Sequence, residues 1–120
     1  MIQRGWLYRV DGTVEEITPK NKREFTLREI QKMVAGTIEA VPFNDAAFCV
    51  FCNEELDQEL PDNENATVIF VRQNPLMCGW GPEYKLQGNI VKLDAIGAWA
   101  THSEAEKRAR NILESIERLL

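Results

Sequence analysis

FTLREIQKMVAGTIEAVPF, residues 25 to 43, decides the fold, because it specifies a helix, its stop and a following strand in one run. Thr26 with Glu29 forms an S/T-x-x-E capping box, in which each side chain satisfies a backbone N–H left without a partner at the helix start. Phe25 and Ile30 stand at the two staple positions around that cap, fixing the angle at which the chain enters. Leu27, Ile30, Met33 and Val34 recur at helical spacing as one apolar stripe, and Gly36 falls where helices commonly end in a left-handed residue. Thr37 to Phe43 then reads as extended, with Pro42 at an edge or a strand end because it cannot donate to a ladder.

Before this run, Trp6 to Val10 and Thr13 to Ile17 flank Asp11-Gly12, a pair whose tolerance of positive φ predicts a tight primed hairpin turn. After it, AAFCVFC, residues 46 to 52, is apolar at every position, which suits a central strand covered on both faces. The segment Glu64 to Arg72 supports two readings. Val68, Ile69, Phe70 and Val71 favour a strand by propensity, while Asn63 or Asn65 can cap a short helix. PLMCGWGPEYKLQG, residues 75 to 88, is dense in Gly and Pro and reads as a long loop before a short strand, Asn89 to Leu93. Thr101 to Leu120 carries overlapping capping boxes (Thr101 with Glu104, Ser103 with Glu106). Its apolar stripe of Ala105, Ala109, Ile112, Leu113, Ile116 and Leu120 predicts an amphipathic helix. The expected fold is α+β, a mixed or antiparallel sheet of four to five strands with the Thr26 and Thr101 helices packed on it.

A chain of 120 residues suits a single domain that buries roughly two-thirds of its unfolded surface, enough to fold without disulfides or metal. No run approaches the roughly 20 apolar residues that span a bilayer, and MIQRGWLYRV has no continuous apolar core of the signal-peptide kind, so a cytoplasmic location is expected. Three cysteines then point to reduced thiols.

The net charge of −5 is unevenly spread, with no Lys or Arg between Lys32 and Arg72. Glu54, Glu55, Asp57 and Glu59 lie in that window. A field of one sign repels nucleic acid, so direct DNA or RNA binding is not expected there. Such a run is either a solvated loop or an acidic face that imitates a phosphate backbone toward a basic partner.

YRVDGTVEEI, FTLREIQKMVAGTIEAV, ELPDNENAT and LQGNIVKL together resemble a family of small uncharacterised proteins from phages, prophages and plasmids, over Leu7 to about Leu93. The resemblance implies a proline-asparagine turn followed by a short helix, and so favours helix at Glu64 to Arg72. It brings no catalytic residues. The WGPEY insertion and the final helix depart from the shorter members.

Cys49-Val50-Phe51-Cys52 has the C-x-x-C spacing, but residues three apart in a strand point to opposite faces, so neither zinc nor a redox pair is expected. No metal or cofactor is anticipated. His102, the single histidine, follows Thr101 at a helix start, where the dipole disfavours the imidazolium. DQELPDNEN lacks the order and glycine of a calcium loop. The loop Cys78 to Tyr84 remains the best recognition element. Its glycines let backbone approach a partner, and Trp80 and Tyr84 are of the types enriched at interface hot spots, unless they instead fill the core. Asn53 and Asn65 can add polar contacts or serve turns and caps.

The resemblance to mobile-element proteins, more than any residue chemistry, implies a non-enzymatic accessory protein that binds and inhibits or sequesters a host defence component, either a protein or a small signalling nucleotide. The alternatives are a small hydrolase using His102 or Cys78, and an assembly protein that homo-oligomerises through Leu119 and Leu120.

Overall fold

In the computed structural model, residues 1–54 and 59–100 are described, apart from the side chain of Cys78. Five strands, β1 (Gly5–Tyr8), β2 (Val14–Ile17), β3 (Ile38–Val41), β4 (Phe48–Asn53) and β5 (Ile90–Asp94), form one antiparallel sheet in the order β2-β1-β5-β4-β3. Helix α1 (Leu27–Val34) packs on one face, and α2 (Glu64–Thr67) with its continuation covers the other. The α+β expectation holds, with the sheet antiparallel throughout. The expected Thr101 helix, with His102, lies outside the described residues.

The capping box forms as expected: Thr26 Oγ1 accepts from the Glu29 N–H at 3.2 Å, and Glu29 Oε1 accepts from the Thr26 N–H at 3.0 Å. Burial alone would raise the Glu29 pKa, but backbone N–H groups of Thr26 and Lys20 and the Thr26 hydroxyl outweigh it and hold the carboxyl below its usual value. Phe25 and Ile30 are both buried in the same core cluster, completing the staple. Leu27 departs from the expected stripe. It is 50% exposed on the rim of an apolar groove beside β3, and Ile30, Met33 and Val34 carry the packing.

The helix stop also differs. Ala35, not Gly36, takes the left-handed conformation, at φ 64°. Gly36 serves a second purpose, because a Cβ there would stand 2.7 Å from the Asn53 amide nitrogen, which donates to the Val34 carbonyl at 3.0 Å. That amide satisfies a helix-end carbonyl that the strand following α1 leaves behind.

The β1–β2 turn is wider than the primed turn expected. Gly12 donates to the Arg9 carbonyl at 3.0 Å and only Gly12, φ 89°, is left-handed, so Val10 to Gly12 form a three-residue loop closed by a glycine bulge. Asp11 accepts instead from the Thr13 N–H and hydroxyl.

β4 is an interior strand, and its alternation divides two cores. Cys49 and Phe51 join Leu7, Ile30, Val34, Val91 and Leu93 under α1, whereas Val50 and Cys52 join Tyr8, Phe70 and Ile90 under α2. Residues 64 to 72 are helical. The Asn63 side chain caps α2, and at Val68–Arg72 the turn widens to a π-helix whose last bond runs from the Gln73 N–H to the Val68 carbonyl at 2.9 Å. Residues 75 to 80, expected as loop, form a 3₁₀ helix. Asn74 starts it by accepting from the Leu76 N–H, while Pro75 at the first position needs no donor.

Candidate functional site

The loop expected to serve recognition leaves the 3₁₀ helix at Trp80, turns through Gly81 at φ 86°, and returns to the sheet through Tyr84. Gly79 and Gly81 have no atom within 4 Å of where a Cβ would stand, so this turn projects away from the body of the protein. The Arg72 guanidinium donates to the Gly81 carbonyl at 3.3 Å and ties the turn to the end of the π-helix.

Trp80 and Tyr84 meet edge to face, with centroids 4.8 Å apart and planes at 72°. Their burial differs. Tyr84 is half-buried against the α2-side core, whereas Trp80 is 47% exposed. The core-filling and presenting readings of the pair are therefore divided between the two rings, Tyr84 supporting Trp80 from beneath.

Tyr84 also lines a cleft of about 90 Å³ with Glu39, Cys52, Asn53, Leu60 and Gln87. Burial first, then the nearby Cys52 and Glu39, raises the Tyr84 pKa, so its hydroxyl stays protonated and able to donate. Burial, with Glu39 adding, pushes the Cys52 thiol up to about 12. A thiol so protonated is a poor nucleophile and a poor metal ligand. Cys49 lies on the opposite face and its Sγ–H donates to the Trp99 carbonyl at 3.3 Å, so C-x-x-C is split as the strand geometry requires. Among the described residues no group of three or more His, Cys, Asp or Glu is placed to hold a metal.

Asn53 stands at the cleft but its amide is engaged with Val34 of α1, which makes it chiefly a joint between α1 and β4. Asn65 is in the first turn of α2 and does not line the cleft; the cap of that helix is Asn63. Glu54 follows β4 and Glu59 precedes Leu60, both exposed, which places them on the approaches to the cleft together with exposed Glu39. Glu55 and Asp57 lie outside the described residues, as does the Cys78 side chain.

A second cluster carries no motif and is visible only once the sheet is assembled. Trp6 of β1, Lys92 of β5 and Val50 of β4 are register partners, and Phe48 and Phe43 close around them. The Lys92 ammonium lies 4.1 Å from the Phe48 ring centroid, 5.2 Å from Trp6 and 5.8 Å from Phe43. Strand alternation places Lys92 on the face of Ile90, but only the register sets it beside Trp6.

No helix among the described residues is long and apolar enough to cross a membrane. Compared with protein-family models, with curated proteins and with solved structures, the chain matches none.

Proposed function

We propose that this chain is a non-catalytic binding protein that acts by occupying a partner protein, with Trp80 on Tyr84 as the anchor and Glu39, Glu54 and Glu59 as an acidic surround. The observation that carries this reading is the half-exposed Trp80 on a projecting, glycine-flanked turn, packed on Tyr84, which shares a cleft with exposed Glu39. An aromatic anchor within a charged rim is the usual composition of an interface hot spot. The dimensions of the cleft support a protein over a nucleotide as occupant here, since about 90 Å³ admits a side chain but not a base with its sugar and phosphate. Protonated Cys52 and Tyr84 supply donors rather than a nucleophile, which supports binding over catalysis.

The resemblance to mobile-element proteins supports a bacterial host protein as the partner, met in the host cytoplasm, and within that class a component of a defence system. The test is to express the chain in hosts that each carry one defence system and to measure phage plating. Relief of one system, lost in Trp80→Ala at unchanged protein level, is the expected result. If no system is relieved and nothing co-purifies with the protein, the anti-defence reading is wrong.

A further inference from the structure

We infer that the Trp6, Phe43, Phe48 and Lys92 surface is a second binding site, one that takes a mononucleotide with its base against the rings and its phosphate on Lys92. Lys92 stands on β5, the middle strand of the sheet, and its neighbour two residues before on the same face, Ile90, is fully buried. Burial lowers the Lys92 pKa, partly countered by Asp45 and Asp94, with Arg4 acting with burial. A Leu or Met there would join the aromatic packing without desolvating a charge.

Among the described residues, nevertheless, this ammonium has no ion-pair partner. The pairs among the described residues are Arg4 with Asp94, Arg9 with Glu15 and Lys85 with Asp62. Asp94 is committed elsewhere, its carboxylate accepting from the Arg4 backbone N–H at 3.0 Å and from the guanidinium at 3.1 and 3.2 Å. Asp45, exposed, accepts from the Ala47 N–H at 3.0 Å. Three rings therefore hold Lys92 by their faces, and among the described residues no carboxylate takes its N–H donors.

Half-buried rings covered by a cation suit a ligand that is planar at one end and anionic at the other. On binding, the ammonium exchanges ring faces for phosphate oxygens, a charge-assisted bond, and the uncovered rings receive the base. Arg4, 5.4 Å from the Trp6 ring and largely exposed, flanks the same surface. Of the two described cations on this surface, Arg4 is paired with Asp94 and Lys92 is not, so a single phosphate matches it. A polynucleotide would bring further phosphates against a chain of net charge −5.

The test titrates the full chain with AMP, with ribose 5-phosphate, with adenosine and with a short oligoadenylate, reading two-dimensional NMR spectra. AMP is expected to shift the Trp6 indole and Lys92 signals, with ribose 5-phosphate and adenosine each binding about ten-fold more weakly or worse. Lys92→Met should abolish the AMP shifts while leaving the spectrum folded, and Lys92→Arg should restore much of the binding. The inference is overturned by no shift with AMP, by ribose 5-phosphate binding as well as AMP, by Lys92→Met binding as well as the native chain, or by the oligoadenylate binding more tightly than AMP.

Discussion

The Asn63 side-chain amide donates to the carbonyl of Tyr8, 55 residues earlier in the chain, at 2.9 Å, and so fastens the start of α2 to the sheet it covers. The same amide donates to the Gly88 carbonyl at 3.0 Å, while its oxygen accepts the Ala66 N–H at 3.1 Å. Fully buried, Asn63 has its amide hydrogens and its oxygen engaged at a junction of three segments. Asn63→Ala would leave two carbonyls and one N–H unsatisfied in a dry site, each costing about 1 to 3 kcal/mol where no water reaches it. Urea denaturation should show a loss of several kcal/mol. A loss below about 0.5 kcal/mol would mean the junction is not closed in solution.

Ala35 should behave oppositely. It holds φ 64° at an exposed helix end, a conformation that costs a residue with a Cβ about 1 kcal/mol and glycine almost nothing. Ala35→Gly is expected to stabilise the protein by up to about 1 kcal/mol. Gly36→Ala should destabilise it, through the close approach to Asn53. A melting-temperature comparison of the two variants checks the assignment, and a reversed order would show that Gly36 is the left-handed residue after all.

Much of this architecture was legible in the residues, and the failures have identifiable causes. The Thr26 capping box and the Phe25 staple are local, so they read directly from spacing. Residues 64 to 72 are ambiguous in sequence because Val68 to Val71 is an unbroken apolar run with strand propensity, yet the buried positions from 63 to 74 are Asn63, Ala66, Thr67, Phe70, Val71 and Asn74. That set has helical period, and the polar members at its ends hide it from a search for apolar residues alone. Local spacing points to Gly36 as the left-handed stop because the contact that explains this glycine, with Asn53, lies across the fold, where no local rule reaches. For the same reason composition marks Trp80 but not Lys92 among Trp6, Phe43 and Phe48: the first is a property of one loop, the second of three strands in register.

Cys52 makes stability depend on pH in the alkaline range. Its folded pKa is raised to about 12 from an ordinary value near 9, so the unfolded chain loses this proton first as pH rises. The contribution is fully present below about pH 9 and is lost as pH climbs toward 12, at a slope of about 1 kcal/mol per pH unit. Tyr8 and Tyr84 are shifted in the same direction by burial, so the total slope belongs to several groups. Comparing native protein with Cys52→Ala isolates the thiol. The variant is expected to lose stability less steeply over this window, and equal slopes would show that the thiol is not buried in solution.

The acidic surround of Trp80 and Tyr84 should act through rate and salt, and the aromatic anchor through residence time. Glu39, Glu54 and Glu59 are exposed, and charges in that setting are screened over about 8 to 10 Å at physiological ionic strength. Their attraction to a basic partner therefore mainly accelerates encounter. With a defence component identified by plating, Glu54→Lys with Glu59→Lys should slow association and flatten its dependence on salt, leaving dissociation nearly unchanged. Adding Glu55→Lys and Asp57→Lys should deepen the effect. Trp80→Ala should instead speed dissociation, costing about 2 kcal/mol or more in affinity with little change in the salt slope, because what it removes is buried apolar area. Surface plasmon resonance at two salt concentrations separates these outcomes. If charge reversal leaves the association rate and its salt dependence untouched, the carboxylates are a solvated surface and the aromatic pair alone makes the contact.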